Sequence, residues 1–100
     1  MLKGGKMTKT IYKYTVAYDD IFVLDLPMGA EVLTVQVQYE SPYLWALVNT
    51  EEQTEKRYFR LAGTGHPIVY DMGKEYSYIN SFQLNNGDLV FHLFEILDGI

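Results

Sequence analysis

The chain contains no cysteine. This absence excludes disulfides, thiolate metal sites and cysteine nucleophiles, and it fits a reducing cytoplasm. No apolar run approaches the roughly 20 residues that a membrane helix requires, and the first residues contain no hydrophobic segment of the signal-peptide type. The net charge of −5 does not provide the basic surface that non-specific nucleic-acid binding needs. The sequence therefore predicts no membrane partner and no non-specific binding to nucleic acid.

Apolar and aromatic side chains, by contrast, are abundant. Hydrophobic residues make up 48% of the 100 residues, among them nine Tyr, five Phe and one Trp. That content is sufficient for a packed core, and the length allows a single domain. Because Tyr and Trp combine apolar area with a polar tip, an excess of them is typical of surfaces that contact a partner.

The first six residues are set apart from the rest. Residues 3–7 read Lys-Gly-Gly-Lys-Met, and their codons can contain a bacterial ribosome-binding sequence just before the ATG of Met7. We expect residues 1–6 to be either a translated leader or a flexible tail, and residues 7–100 to form a single β domain. A translated leader would indicate a bacterium or a bacterial virus as the source.

Hydrophobicity alternates with a period of two along most of the chain, and no long segment has the helical period. Turn-forming residues separate the alternating segments. This pattern predicts an all-β fold, an antiparallel sandwich or small barrel of about seven short strands. At most one helical turn is expected, within the polar residues 50–56. The predicted strands comprise residues 10–18, 21–26, 31–39, 43–49, 57–62, 68–70, 76–84 and 89–97.

Three turn motifs connect the predicted strands. Residues 26–29 place Pro and Gly in the positions of a tight turn. Glu40–Ser41–Pro42 is expected to reverse the chain, and residues 85–88 contain the Asn-Gly pair that favours a type I′ hairpin. Between the first two turns, alternation predicts one shared face for Leu33, Val35, Val37 and Tyr39.

Two segments, residues 43–49 and 89–97, are apolar on both faces. Strands of that kind are typically central in a sheet and covered on both sides. In a chain of this length, part of the cover is expected to come from a second copy, so we predict a homodimer. The residues expected at its interface are Tyr12, Tyr14, Tyr43 and Trp45.

Six motifs in a fixed order carry a resemblance to a known family. They are KTIYKY (9–14), VQVQ (35–38), LWALV (44–48), FR (59–60), GTGHP (63–67) and FQL…LVFHLFE (82–95). Together they span nearly the whole domain. In order and spacing they resemble small proteins of bacterial viruses and prophages that are catalogued as a domain of unknown function. The resemblance implies a phage origin and no known activity.

The Gly-Thr-Gly-His-Pro loop is the main candidate for a ligand site. Backbone N–H groups near Gly63 and Gly65 can converge on an oxyanion, and Thr64 and His66 can add donors. Arg60 can approach from the end of its strand. The predicted ligand is therefore an anion, such as a nucleotide. In the alternative interpretation the glycines only form a turn, since a GxG without a following helix is a weak phosphate signal.

The sequence contains no constellation of the catalytic type. His66 and His92 do not form a metal motif, and His92 is expected on a half-buried strand face, bonded to a neighbour. No serine sits in a nucleophile elbow, and adjacent carboxylates such as Asp19–Asp20 point apart on an extended chain. We therefore predict no catalytic residue, no metal, no cofactor and no enzymatic activity.

A small acidic protein without catalytic residues is typically a stoichiometric binder. We expect a non-enzymatic, phage-encoded binding protein in the host bacterial cytoplasm, and specifically an inhibitor of a bacterial defence system. Such an inhibitor either blocks a nuclease complex or sequesters a nucleotide signal, so its partner is a host protein or an anionic nucleotide. The alternative is a structural or housekeeping phage component that acts through self-association.

Overall fold

The chain forms two antiparallel β-sheets that pack face to face. The computed structural model describes residues 8–68 and 74–97. The strands in these ranges are β1 (Thr10–Thr15), β2 (Ile21–Pro27), β3 (Glu31–Gln38), β4 (Ser41–Val48), β5 (Thr54–Gly63), β6 (Tyr76–Leu84) and β7 (Leu89–Ile96), with a 3₁₀ turn at Asn85–Gly87.

Strand order divides these elements between the two sheets. One sheet has three strands in the order β1-β4-β3, and the other has four in the order β2-β5-β7-β6. The two sheets are separate, so the predicted antiparallel sandwich is confirmed and the alternative of a closed barrel is not observed. Within the same residues, no helix is long and apolar enough to cross a membrane.

Every second side chain of β4 points into the core. Its even-numbered residues, from Pro42 to Val48, are buried, whereas the odd-numbered ones are half-buried. Leu44 is fully buried and lies opposite Val35 of β3. Phe59 of β5 and Leu93 of β7 are also fully buried, and they belong to the same cluster. The predicted central positions of β4 and β7 are confirmed.

A bulge in β3 overturns one expected face. The register to β4 shifts between Val32 and Thr34. A bulge adds one residue and thereby switches the alternation. As a result Leu33 is 41% exposed whereas Val35 is fully buried. The prediction that Leu33 shares a face with Val35 is wrong for this reason. The prediction for Tyr39 is wrong because β3 ends at Gln38 and Tyr39 lies in the turn that follows.

The β3–β4 turn consists of Tyr39 and Glu40, and not of Glu40–Ser41–Pro42. Gln38 pairs with Ser41, which leaves a two-residue connection. Tyr39 has φ 53° and Glu40 has φ 66°, both in the left-handed region that a type I′ turn requires. The turn suits the twist of the strands, although neither side chain favours a positive φ. Tyr39 is 91% exposed at the tip.

The β6–β7 turn lies where the Asn-Gly signal predicts it. Asn85, Asn86 and Gly87 all have positive φ. Leu84 pairs with Leu89, so residues 85–88 form the whole connection. The hairpin is therefore confirmed, but its loop is longer than the two residues of a type I′ turn.

β5 begins inside the segment that was expected to form a loop or a helical turn. Thr54 pairs with Pro27 of β2, so the strand starts within residues 50–56. Backbone pairing with a neighbour extends a strand through polar residues, because β-propensity depends strongly on context. Of the predicted strand 68–70, Ile68 lies outside any strand, and the other two residues lie outside the described ranges.

Candidate functional site

The outer side of the three-stranded sheet carries an aromatic surface. Side chains alternate along a strand, so the buried even-numbered residues of β4 leave Tyr43, Trp45 and Leu47 on the side facing away from the four-stranded sheet. β1 adds Ile11 opposite Leu47 and Lys13 opposite Trp45. We call these five residues the aromatic face.

Lys13 is held over the rings of the aromatic face. Its Nζ lies 4.4 Å from the ring centre of Tyr43 and 5.6 Å from that of Trp45. The same Nζ donates a 2.9 Å hydrogen bond to Oε1 of Gln38. A cation above a ring is attracted by the ring quadrupole, by about 0.5–1 kcal/mol at exposed sites. These contacts orient the side chains in advance, which lowers the entropy lost when a partner binds.

The aromatic face is accessible from solvent. Ile11 is 55% exposed, and Tyr43, Trp45 and Leu47 are half-buried. The expectation that β4 is covered on both sides is met on the core side only, within residues 8–68 and 74–97. A half-buried aromatic surface of this kind is typical of protein-binding sites.

Tyr12 and Tyr14 lie on the other side of β1. They pair with Ala46 and Leu44, which are both fully buried in the core. Tyr14 packs against that core, and burial, with a further contribution from Tyr12, raises the pKa of its phenol. Tyr12 is 44% exposed. The four residues predicted at one interface therefore lie on two sides of the same sheet.

The Gly-Thr-Gly-His-Pro loop is held by two backbone hydrogen bonds, one within the loop and one to β7. The N–H of Thr64 donates to Val90 O at 3.0 Å, and that of His66 donates to Gly63 O at 3.1 Å. Gly65 has φ 84°, a left-handed value that glycine adopts without strain. The His66 ring lies against Gly63, where an added Cβ would be 2.8 Å from Nδ1. Two of the N–H groups expected to bind an anion are thus engaged within the protein.

A hydroxyl–imidazole contact joins this loop to β7. Thr64 Oγ1 lies 2.6 Å from Nε2 of His92 and 3.3 Å from the carbonyl oxygen of Val90. His92 is half-buried, so the expectation that it bonds to a neighbour on such a face is confirmed. We interpret the contact as a tie that holds the loop against the sheet. In the described part of the chain, no group of three or more His, Asp or Glu could hold a metal ion.

Arg60 lies on the four-stranded sheet, where it pairs with Ile21 and Phe94. A cavity of about 240 Å³ beside the loop is lined in part by Asp88 and His66. A carboxylate at this place repels an anion, as does the net charge of −5. The anionic ligand remains a prediction. Titration with phosphate, followed by NMR of the His66 imidazole, distinguishes a ligand site from a turn.

A second cavity, of about 400 Å³, lies beside a buried ion pair and is lined in part by Arg57 and Glu95. Arg57 donates to both carboxylate oxygens of Glu95 and, through Nη1, to the carbonyl oxygen of Ala30. The hydrogen bond to Glu95 raises the pKa of Arg57, against the opposing effect of burial. Because these groups bind each other, we interpret the pair as structural.

Sequence patterns did not identify Lys13 and Gln38 as parts of the candidate site. Alternation does separate Lys13 from Tyr12 and Tyr14, which was the available signal. However, Lys13 reaches Trp45 only because β1 pairs with β4, and the two strands are distant in sequence. Their pairing depends on how the whole chain covers its apolar faces.

Comparison with known proteins places the chain in a family without assigning a function. A family model described as a domain of unknown function (DUF7352) matches residues 7–98, which is nearly the whole chain. No curated protein and no solved structure matches the chain. The match gives no ligand or activity that could be compared with the aromatic face.

Proposed function

The chain belongs to the DUF7352 family of domains of unknown function, and we propose that it is a non-enzymatic binding protein. It acts by stoichiometric occupation of a partner protein through the aromatic face. The observation that carries this proposal is the placement of Lys13 over Tyr43 and Trp45, on a side of the sheet that the described residues leave accessible.

The chemistry of the aromatic face suits a protein surface. Trp and Tyr dominate the binding energy of protein interfaces, where they fill desolvated pockets. Ile11 of β1 and Leu47 of β4 lie opposite each other and extend the apolar area of the face. Lys13 is the charged residue of the face, and its ammonium already binds Gln38 and the rings. A multiply charged nucleotide would need more positive charge than this face provides.

In its specific form, the proposal is that a phage encodes this protein as an inhibitor of a bacterial defence system in the host cytoplasm. The inhibitor blocks a nuclease complex by covering a surface of one of its proteins. Support for the phage origin comes from the resemblance of the sequence motifs to small phage and prophage proteins. Support for a mechanism in which the protein occupies its target comes from the preformed aromatic face. Binding through this face requires no chemical step.

A second candidate is a structural or housekeeping phage component that acts through self-association. The exposure of β1, in which five of six residues are exposed, favours this class because an open strand edge can pair with another chain. Gene neighbourhood separates the two classes. Early accessory genes around the coding sequence favour the inhibitor, and head or tail genes favour the structural component.

The test is affinity capture with the tagged full chain from a lysate of a bacterial host, with mass spectrometry of proteins and small molecules. We expect one host protein in stoichiometric amount with the unmodified chain. Trp45→Ala should abolish capture of this protein because it removes the indole ring. Lys13→Glu should also abolish it because it reverses the charge above the rings. A change of Tyr78, which is 55% exposed on the other sheet, is the matched control, and Tyr78→Ala should retain the partner.

Each variant must melt at a temperature close to that of the unmodified chain, so that loss of capture is not loss of fold. Equal capture by Trp45→Ala and the unmodified chain would contradict the role of the aromatic face. Recovery of a nucleotide without a protein would favour the alternative in which the chain sequesters a signal.

A further inference from the structure

We propose that β1 is the dimerisation edge of this protein, and that a second copy of the chain pairs with it antiparallel, with Tyr12 on the two-fold axis. The two three-stranded sheets then form one continuous six-stranded sheet. This inference does not depend on which partner the aromatic face binds.

The edge strands other than β1 carry features that discourage pairing with another chain. β3 and β6 lie against each other, and Asn80 Nδ2 of β6 donates a 3.1 Å hydrogen bond to Thr34 Oγ1 of β3. Each also has a register shift at that level, between Val32 and Thr34 in β3 and between Tyr78 and Asn80 in β6. Bulges of this kind bend an edge strand and disrupt its hydrogen-bonding pattern, which discourages pairing with another chain.

β2 contains residues that disfavour pairing of its edge with another chain. It carries the exposed Asp25 and ends at Pro27, which has no N–H to donate. Charges and proline are common means of preventing edge-to-edge association. β1 has neither a proline nor a register shift along its six residues. Its one charged side chain, Lys13, is directed to the rings of its own sheet.

Charge selects the register of the pairing. A two-fold axis perpendicular to the sheet keeps each side of the sheet on the same side in both copies. Two residues that lie opposite each other across the axis must therefore have side chains on the same side of the strand, so the sum of their residue numbers is even. An axis at Lys13 places the two Lys13 side chains opposite each other. An axis at Ile11 places Lys13 opposite Lys9 twice. Like charges directly opposite are destabilising.

With the axis at Tyr12, no like charges are opposed. Ile11 lies opposite Lys13 of the second copy, and Thr10 lies opposite Tyr14 of the second copy. The aliphatic stem of Lys13 then covers Ile11, which is 55% exposed in the single chain. The two Tyr12 side chains, each 44% exposed, face each other. An axis two residues further, at Tyr14, places Tyr12 opposite Val16 of the second copy, and Val16 is buried and lies beyond the end of β1.

The absence of cysteine from the chain allows the register to be tested directly. In Tyr12→Cys the two thiols lie on the axis, within the Cα separation of up to about 7 Å that a disulfide spans. Thr10 is also exposed. In Thr10→Cys the thiols of the two copies are four residues apart along the strand direction, a distance of about 13 Å. We expect mild oxidation to convert Tyr12→Cys to a covalent dimer and to leave Thr10→Cys uncrosslinked.

Light scattering after size exclusion gives the oligomeric state at tens of micromolar. We expect a dimer for the unmodified chain, a dimer for Tyr12→Phe, and a monomer for Tyr12→Lys, which puts two ammonium groups on the axis. The control Tyr78→Lys, at a side chain of β6 that is 55% exposed, should remain dimeric. Trp45→Ala should also remain dimeric even if it loses its host partner, which separates this inference from the proposed function.

A monomeric unmodified chain overturns the inference, whether or not β1 accepts an extended segment of another protein. A dimer that persists in Tyr12→Lys, or that crosslinks through Thr10→Cys and not through Tyr12→Cys, overturns it as well, because either result places the contact elsewhere or in another register.

Discussion

Arg57 of β5 and Glu95 of β7 form a bidentate ion pair inside the sandwich. The guanidinium donates from Nε and Nη2 to the two carboxylate oxygens, and from Nη1 to Ala30 O at 2.9 Å. The two side chains are only 19% and 10% exposed. One guanidinium thus links two strands of the four-stranded sheet to the turn that precedes β3.

Removing one member of this pair should destabilise the protein strongly. Glu95→Ala removes both hydrogen-bonded carboxylate oxygens and leaves Arg57 with the more distant carboxylate of Glu55, 3.7 Å from Nη1. We expect a loss of about 3 kcal/mol in the free energy of unfolding. Urea denaturation measures it. The control is Asp25→Ala, which removes a pair with Lys56 whose side chains are 61% and 64% exposed, and which should cost at most about 1 kcal/mol. Equal losses would contradict a structural role for the buried pair.

The β3–β4 turn should be open to stabilisation. Tyr39 and Glu40 have positive φ values, which cost of order 1–3 kcal/mol for residues other than glycine. Replacing them together by Asn-Gly should raise the free energy of unfolding by about 1–2 kcal/mol, because that pair adopts a type I′ turn without strain. Tyr39→Ala is the control, and it should give no gain because alanine keeps the positive-φ penalty. An unchanged midpoint for the Asn-Gly variant would sink the prediction.

Alkaline pH should weaken the fold through Tyr14. Its pKa in the folded protein is raised above the ordinary value of 10.0, by burial and by Tyr12, so the folded state favours the neutral phenol. This contribution to stability is fully present below the unfolded-state pKa and is lost as the pH rises through the folded-state pKa. Urea denaturation at a series of alkaline pH values measures the loss. We expect Tyr14→Phe to lose less stability at alkaline pH than the unmodified chain. The exposed control Tyr39→Phe should lose as much as the unmodified chain.

The tie between the Gly-Thr-Gly-His-Pro loop and β7 should depend on the hydroxyl of Thr64. Thr64→Val preserves the shape of the side chain but removes the 2.6 Å contact with His92 Nε2. We expect a loss of about 1 kcal/mol in unfolding free energy and a changed NMR signal of the His92 imidazole. Thr64→Ser should restore both, since it keeps the hydroxyl. If the valine variant gives the signal of the unmodified chain, the contact does not hold the loop.

Local patterns predicted those features that depend on neighbouring residues. The short apolar run of residues 43–49 predicted β4 as a central strand, and the structure buries every second residue of it in the core. The Asn-Gly signal located the β6–β7 turn, since the need for positive φ is a local property. The bulge that exposes Leu33 was not predictable in this way. Nothing in the alternation of residues 31–39 indicates where the partner strand imposes a shift in register.

The sequence by itself determined the all-β class, the positions of most strands and the aromatic content, because periodicity and turn chemistry act over a few residues. Only the tertiary structure decided which strands pair and which faces they share. It placed β1 beside β4 and β5 beside β7, so that Lys13 lies over Trp45 and Arg57 reaches Glu95. These pairings join residues far apart along the chain, and they are selected by the burial of all the apolar faces together.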